Sequence, residues 1–259
     1  MPELPDLQVF SRNLNSQLAG KAVADVALLK KTKIKTTAAA LKKALKGKTV
    51  EKVYRSGKEL RFELTGKTIL GMHLMLHGKL RWFQGKKPPA HTLLALYFDN
   101  TCGLALTDYQ GIATVSLNPQ EPDSPDALSK ELNARYLGTL FSTKKTAVKK
   151  LLLDQHLIRG IGNAYADEIL WEAGISPFSV SNKIPAAYIK KLVRSIRKVL
   201  TNAEKKIRTS HPDIIAGEVR DFLKIHQAGK KESPTGTVVR QKLLNGRKTY
   251  YTDEQELFK

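Results

Sequence analysis

The sequence predicts an α+β fold in which an N-terminal helix and an antiparallel β-sandwich precede a helical domain and a β-hairpin. Leucine and phenylalanine recur every three or four positions over residues 4–19, which predicts one amphipathic helix. Residues 49–117 contain short β-type runs separated by turn residues, a pattern typical of a sandwich or a flattened barrel. Beyond residue 126 the apolar positions return to helical spacing, so the two halves of the chain differ in structural class.

Changes of composition divide the chain into four segments. Residues 1–118 are predicted to form the N-terminal β-sandwich domain, with a second helix at 37–46. Residues 119–126 contain three prolines and no apolar periodicity, which predicts a linker. Residues 127–228 are predicted to form the helical domain. Residues 229–259 are predicted to form the hairpin, whose strands are joined by an Asn-Gly turn.

Charge and cysteine content narrow the class of protein. The 259 residues include 44 Lys and Arg against 24 Asp and Glu, a net charge of +20. Such an excess of positive charge indicates a polyanionic partner, nucleic acid first. No apolar run approaches the length of a membrane span and no secretory segment is evident, so a membrane or secreted protein is not expected. Cys102 is the only cysteine, which excludes a disulfide framework and favours a cytoplasmic, DNA-associated protein.

The N-terminal segment Pro2-Glu3-Leu4-Pro5-Asp6 offers a catalytic amine. Removal of the initiator methionine would leave Pro2 with a free secondary amine, whose pKa near ~8 compares with ~10.4 for a lysine side chain. Attack of this amine on a sugar aldehyde carbon gives an iminium that lets neighbouring C–O bonds break, and Glu3 can carry the protons. The structural alternative is that Pro2 only starts a helix and Glu3 only matches its dipole.

A glycine-bearing turn in residues 151–175 predicts a phosphate-binding element. Gly160 and Gly162 allow a tight turn, and Asn163 is placed to cap a helix that begins at Ala164. The N-terminus of a helix presents free N–H groups and the positive end of its dipole, which suits a phosphate.

Five motifs in chain order then resemble one family. They begin at Pro2 (PELPD), Gly57 (GK), His73 (HLMLHGKL), Leu151 (LLLDQHLIRGIGNAYADE) and Asn245 (NGRKTYY). The chain resembles the formamidopyrimidine-DNA glycosylase and endonuclease VIII family of base-excision repair enzymes, which carry a helix–two-turns–helix motif. The resemblance implies a bifunctional DNA glycosylase and abasic-site lyase, acting as a monomer on damaged double-stranded DNA.

Catalytic roles follow from the resemblance at three positions. Pro2 would form the Schiff base at C1′ of the damaged nucleotide and Glu3 would shuttle protons. Lys58 would contact the phosphate beside the lesion and assist β,δ-elimination. Asp6 stands where the family has a glutamate, one methylene longer.

DNA-binding roles follow in the same way. His73, Asn163 and Arg247 would contact the DNA backbone, and Leu76 would act as an apolar wedge in the opened duplex. Glu168 aligns with a family acid near the active site, although a structural role is an equal alternative. The ordinary alternative is a core histidine for His73 and an exposed turn residue for Arg247.

The zinc site of most family members is absent from this sequence. Glu232, Thr235, Thr252 and Gln255 fall where the family has four cysteine ligands, and these residues cannot form a structural tetrahedral site. A zincless hairpin with no metal and no cofactor is therefore expected.

The wedge loop also departs from the family. The family has an arginine and a phenylalanine in this loop, whereas residues 107–112 of this chain read TDYQGI. Tyr109, Gln110 or Ile112 are the available substitutes. The missing arginine argues against a specialist for 8-oxoguanine.

Two other functions stay open. One is a non-catalytic protein that binds damaged or abasic DNA on the same scaffold. The other is an RNA- or ribosome-associated protein, which the β-rich N-terminal half argues against.

Overall fold

The computed structural model describes residues 1–30, 34, 36–98 and 102–259. It contains two compact units, one formed by residues 1–121 with 207–218 and the other by 122–206 with 219–259. The chain passes from the first unit to the second between residues 121 and 122, inside the proline-rich segment. None of the helices in the described part of the chain is both long and apolar enough to cross a lipid bilayer.

Within residues 1–121, as far as the structure describes them, the first unit contains two helices and eight strands. The elements are α1 (Leu4–Leu18), β1 (Asp25–Leu28), α2 (Ala38–Leu45), β2 (Val50–Ser56), β3 (Glu59–Leu64), β4 (Thr68–His73), β5 (Lys79–Gln84), β6 (Thr92–Tyr97), β7 (Cys102–Thr107) and β8 (Thr114–Leu117). They form two antiparallel four-stranded sheets, ordered β1-β6-β7-β5 and β2-β3-β4-β8. The predicted combination of a helix and an antiparallel β-rich unit is confirmed.

One large apolar core holds the helices against the sheets of this unit. Leu7, Phe10 and Leu14 of α1 are fully buried in the same cluster as Leu60 and Phe62 of β3. Their spacing in α1 places them on one helix face, and burial of each such side chain stabilises the fold by about 1.5–3 kcal/mol. Pro2 and Glu3, the candidate catalytic residues that directly precede α1, are therefore attached to the rigid part of the unit.

The second unit is helical and ends in a hairpin. Its elements are α3 (Ala134–Ser142), α4 (Val148–Leu153), α5 (Asn163–Ala173), most of α6 (Ala186–Ser210), β9 (Arg240–Leu244) and β10 (Arg247–Tyr251). The β9–β10 turn has positive φ at both Asn245 and Gly246, which is the reason that an Asn-Gly pair favours a two-residue hairpin.

Two elements were not predicted from the sequence. Strand β1 has only four residues and pairs with β6, which lies far away in the sequence. Helix α3 has nine residues and begins after Asn133, whose side chain accepts a hydrogen bond from the Tyr136 N–H. Both elements are too short for hydrophobic periodicity to distinguish them from a loop.

Candidate active site and nucleic-acid interface

Pro2 and Glu3 lie buried at the start of α1. Glu3 is the N-cap residue, with φ −109° and ψ −176°, and only 5% of it is exposed. The helix begins at Leu4, so Pro2 precedes it and contributes no helical turn. Pro2 is therefore not the first residue of the helix, whereas Glu3 caps it. Met1 precedes it, with its amine against the Glu218 carboxylate.

Asp6 fixes the backbone of Glu3. The Glu3 N–H donates to Asp6 Oδ2 at 2.9 Å, and the Glu3 side chain faces the Asp6 backbone in return, so that the two residues form a capping box. Asp6 is fully buried. A carboxylate one methylene shorter than the family's glutamate thus still reaches the N-terminal backbone.

Lys58 occupies the tight turn between β2 and β3, and this turn is attached to α1. Gly57 has a φ of 58°, which a glycine adopts without strain. Arg55 donates from Nη1 to the Gly57 carbonyl at 2.9 Å and from Nε to Gln8 Oε1 at 3.0 Å. One guanidinium therefore connects the Lys58 turn to the helix that follows Pro2 and Glu3.

His73 is neutral near pH 7 and offers one N–H to a ligand. It is half-buried at the end of β4, and Nδ1 accepts a hydrogen bond from the Met75 N–H at 3.0 Å. Burial lowers its pKa below the usual 6.5 and the positive charge of Lys58 adds to this, while Glu59 opposes it. The tautomer inferred from this hydrogen bond carries its proton on Nε2, so that Nε2–H is the available donor.

Two loops of the first unit present apolar side chains to solvent. Leu76 is 55% exposed and Tyr109 is 57% exposed. The loops adjoin each other, because the His77 ring lies 4.8 Å from the Tyr109 ring. Gly78 cannot be replaced without rearrangement, since a Cβ there would lie 2.2 Å from the Leu74 carbonyl oxygen. The first loop is therefore tightly turned beneath an exposed leucine.

The carboxylate of Asp108 holds the second loop in shape. It accepts hydrogen bonds from the N–H groups of Gln110, Ile112 and Ala113 at 3.0, 2.7 and 2.8 Å. Burial favours the neutral form of Asp108, but the backbone N–H groups together outweigh it and lower the pKa below 3.8. Of the three substitutes predicted for the wedge, Tyr109 and Gln110 are exposed and Ile112 is half-buried.

Beside this loop lies a basic cavity that the sequence did not reveal. Its volume is about 230 Å³, and its lining includes Lys79, Arg81, His91 and Tyr109. Lys79 and Arg81 are two apart on β5, so they share one face of the strand. The spacing of Lys79 and Arg81 could have been recognised in the sequence. The position of His91, in contrast, depends on a loop and on the hydrogen bond from the Asp108 N–H to the His91 carbonyl at 2.9 Å.

In the second unit, Asn163 attaches α5 to the hairpin. The prediction that Asn163 caps a helix beginning at Ala164 is wrong, because the helix begins at Asn163 itself with Gly162 as N-cap. The side chain of Asn163 instead donates from Nδ2 to the Lys248 carbonyl at 2.9 Å. Arg247, the neighbour of Lys248, is exposed at the start of β10. The structure thus brings the two predicted phosphate contacts of this unit together.

A buried ion pair supports the same junction. Lys149 Nζ lies 2.7 Å from Asp167 Oδ1 and 2.8 Å from Thr249 Oγ1, and at most 1% of Lys149 or Asp167 is exposed. Asp167 Oδ2 accepts the Tyr250 N–H at 2.9 Å and lies 2.7 Å from Nδ1 of His226. This network was not predicted, because its contacts to the hairpin join residues 100 and 83 positions apart in the sequence.

The comparisons with known proteins identify the family. Residues 1–115 match the model of the formamidopyrimidine-DNA glycosylase N-terminal domain, and residues 124–212 match that of its H2TH domain. The formamidopyrimidine-DNA glycosylase of Pelotomaculum thermopropionicum is 32% identical over 97% of both chains. That of Lactococcus lactis subsp. lactis is 31% identical, also over 97% of both chains.

The chain belongs to the formamidopyrimidine-DNA glycosylase family.

Solved structures of the family agree with this. A complex of Lactococcus lactis Fpg with DNA containing an abasic site superposes with a TM-score of 0.87 at 25% identity, over 97% of this chain and 98% of that one. A complex of MutM with DNA containing carbocyclic 8-oxo-G gives a TM-score of 0.87 at 25% identity, over 98% and 100%.

Glu168 has a structural role in the second unit. Its carboxylate accepts hydrogen bonds from the N–H groups of Lys224, Ile225 and His226 at 2.9, 2.8 and 2.9 Å, and only 4% of it is exposed. Three N–H donors to one carboxylate fix the segment 224–226 against α5. Of the two roles considered for Glu168, these contacts demonstrate the structural one.

A hydrogen-bonded network centred on Glu254 occupies the base of this family member's hairpin. The Glu254 carboxylate accepts from the hydroxyls of Thr235 and Thr252, the latter at 3.0 Å, and from Trp171 Nε1 at 3.3 Å. The hydrogen bond from Thr235 is the main cause that lowers the pKa of Glu254 below 4.5. Gln255 accepts the Thr252 N–H at 2.9 Å and donates to the Ile175 carbonyl at 2.8 Å.

Three of the four positions predicted to replace the zinc ligands therefore take part in this network. The fourth, Glu232, forms an isolated backbone bridge with Val238. In the part of the chain that the structure describes, no three His, Cys, Asp or Glu residues are grouped to hold a metal ion.

Proposed function

We propose that this protein is a bifunctional DNA glycosylase and abasic-site lyase that removes damaged, chiefly oxidised, bases from double-stranded DNA. The observation that carries the proposal is the buried Pro2-Glu3 pair at the start of α1, held by Asp6 and joined to the Lys58 turn through Arg55. The capping box accounts for the fixed Glu3 backbone, and burial of Pro2 beside it places the N-terminal amine next to a carboxylate that can carry protons.

The amine of Pro2, once Met1 is removed, is the proposed nucleophile. Its nitrogen bonds to C1′ of the damaged nucleotide while the C1′–base bond breaks, and the released base takes a proton. The amine proton is lost, the C1′–O4′ bond opens and O4′ takes up a proton, which leaves an iminium at C1′. This iminium acidifies C2′, so loss of a C2′ proton and departure of the 3′ phosphate complete β-elimination. Loss of the C4′ proton and departure of the 5′ phosphate then complete δ-elimination. Glu3 carries protons in these steps.

Lys58 and His73 are proposed to bind the phosphates that leave. The positive charge of Lys58 contributes to the lowered pKa of His73, which supports a shared position of the two side chains near the reacting sugar. A lysine ammonium neutralises a phosphate directly, and the Nε2–H of a neutral histidine adds a donor without adding charge. The basic cavity with Lys79, Arg81 and His91 is a further proposed contact to the DNA backbone.

Asn163 and Arg247 are proposed to hold the DNA backbone from the second unit, and Leu76 with Tyr109 to fill the space left by an extruded nucleotide. Extrusion costs a few kcal/mol of stacking and pairing, which exposed apolar side chains and phosphate contacts offset. The Asn163–Lys248 hydrogen bond and the exposure of Leu76 and Tyr109 support these roles. Since the loop has no arginine, the opposite base is proposed to be read loosely.

The decisive experiment is borohydride trapping on a duplex with one abasic site, using protein whose N-terminus is verified by mass spectrometry. Protein that begins at Pro2 should form a covalent adduct. The matched control is the same chain with Met1 retained, in which the Pro2 nitrogen is an amide; trapping should fall on the order of 100-fold or more. Pro2→Gly should also lose the adduct, with DNA affinity nearly unchanged. Equal trapping by the Met1-retaining form would disprove the proposed nucleophile.

A non-catalytic DNA-binding protein is the second candidate, favoured by the altered loop at 107–112. It predicts no adduct from protein that begins at Pro2, together with tight binding that weakens steeply as salt is raised.

A further inference from the structure

Helix α6 carries a disproportionate share of the positive charge. Its 25 residues, Ala186–Ser210, include eight Lys or Arg and one acid, Glu204, a net charge of +7. The entire chain of 259 residues has a net charge of +20. About a third of the net charge thus lies on about a tenth of the sequence, on an element to which the proposed function assigns no role.

These charges form a stripe along one side of the helix. Lys190, Arg194, Arg197 and Lys205 are separated by four, three and eight positions, spacings that keep side chains on one face. All four are exposed, and at ~1.5 Å per residue the stripe is about 22 Å long. We call these four residues the α6 stripe.

The opposite face of α6 is occupied by the core of the protein. Ile189, Leu192, Ile196 and Leu200 are at most 8% exposed. A helix that lies on a membrane must bury its apolar face in lipid, and this face is not available. An anionic membrane is therefore a poor partner for the stripe.

A solvated surface is the ordinary explanation of helix charge, but it does not fit this pattern well. Like charges three or four positions apart on a helix destabilise it by about 0.2–0.5 kcal/mol per pair. Surface helices usually offset this with interspersed acids. On α6 the single acid is Glu204, against eight Lys and Arg residues. A bound polyanion would relieve the repulsion.

The stripe is separate from the phosphate elements of the same unit. Lys198 pairs with Glu172, and a Cβ at Gly174 would lie 3.1 Å from Lys191 Nζ, so the basic side of α6 runs beside the C-terminal end of α5. Asn163, the predicted phosphate contact, is at the other end of α5, which at ~1.5 Å per residue is about 16 Å long.

From this arrangement we propose that the α6 stripe binds a second segment of duplex DNA, distinct from the segment held by Asn163 and Arg247. Duplex DNA presents one negative charge per ~1.7 Å of its axis, which matches an extended row of cations better than a compact anion does. A protein with two such surfaces can move between neighbouring DNA segments without full dissociation. The inference goes beyond the proposed repair chemistry and does not require it.

The test is a two-duplex binding experiment. The protein is first saturated with a short, unlabelled duplex that contains a tetrahydrofuran abasic analogue, and a fluorescent undamaged 20-base-pair duplex is then titrated while anisotropy is followed. The complex should bind the second duplex, and Lys190→Glu/Arg194→Glu/Lys205→Glu should weaken that step by at least about tenfold. Loss of three phosphate contacts should make the negative slope of log K against log salt concentration less steep by about 2.7. Arg197 is retained because it donates to the Ser129 carbonyl.

A charge-matched control separates a site from a general effect of net charge. Lys43→Glu/Lys46→Glu/Lys87→Glu changes three exposed lysines of the first unit and should leave the second step within about twofold. The α6 variant should bind the first duplex like the wild type, which also shows that it is folded.

Three results would overturn the inference: a wild-type complex that takes up no second duplex, an equal loss in the control, or an equal loss of the first duplex in the α6 variant. Strand cleavage is measured separately on an abasic duplex. Absent cleavage with intact second-duplex binding would reject the proposed function alone.

Discussion

The candidate residues of the N-terminal segment are held by hydrogen bonds from residues close in the sequence. Those of the C-terminal hairpin are held by residues far away in the sequence. Glu3 is fixed by Asp6, three positions away, and the Lys58 turn is fixed by Arg55. The hairpin depends on distant partners, since Lys248 is held by Asn163, and Tyr250 by Asp167. Local support survives changes elsewhere in the chain, whereas distant support makes the hairpin depend on a few buried polar contacts.

The difference matters because polar contacts respond asymmetrically to mutation. A hydrogen bond contributes only about 0.5–1.5 kcal/mol net, but a buried partner left unpaired costs the full desolvation of that group. The N-terminal segment contains one such buried acid pair, while the hairpin junction contains a buried lysine, a buried aspartate and a histidine. The hairpin should therefore be the more vulnerable region.

The largest effect is expected for Asp167→Ala. The substitution leaves the Lys149 ammonium buried without its counter-charge and removes the acceptor for the Tyr250 N–H, so the free energy of unfolding of the second unit should fall by about 3–5 kcal/mol. Denaturant unfolding followed by circular dichroism measures this. Asp221→Ala, at an exposed position, is the control and should change stability by less than about 0.5 kcal/mol. Equal losses of stability for the two substitutions would show that the buried aspartate contributes no more to stability than an exposed one.

An intermediate effect is expected for Asp6→Ala. Loss of the capping acceptor should destabilise the first unit by about 1–2 kcal/mol and slow borohydride trapping, because the Glu3 backbone is no longer fixed. Asp6→Asn keeps an oxygen that can accept the Glu3 N–H and should recover most of the stability. Unfolding and trapping rates are measured on both variants. If Asp6→Ala traps as fast as the wild type, Asp6 is a cap and nothing more.

The contrast between local and distant support also explains what the sequence could predict. Helix α1, the strands of residues 50–117 and the hairpin follow from patterns within a few residues, and the fold prediction built on them is confirmed. Strand β1 and helix α3 were missed because each is short and has little pattern of its own. The chemical roles of Pro2, Glu3 and Lys58 stay predictions.

Side-chain partnerships across the chain lay beyond sequence reasoning. Asn163 was expected to cap its own helix, but it lies one position inside that helix and contacts the hairpin instead. Nothing in the local sequence around Lys149 or Asp167 indicates that the two meet in the core. The missing cysteines predict a hairpin without the four-cysteine zinc site, yet the sequence did not identify Glu254 as the centre of the network at its base.

The smallest effect is expected for protonation of Glu254, a solvent-exposed carboxylate that accepts hydrogen bonds from residues distant in the sequence. The folded state holds its pKa below 4.5, so the stabilisation is fully present above that pH and is lost as the pH falls through the lowered value. Because the carboxylate is exposed, the loss should be less than about 1 kcal/mol. Trp171 donates to this carboxylate, so its fluorescence in a Trp82→Phe background should change with a midpoint below pH 4.5. Glu254→Gln should remove that transition while leaving the fluorescence near pH 7 close to that of the parent. A midpoint above 4.5, or a transition that persists in Glu254→Gln, would show that another group controls the base of the hairpin.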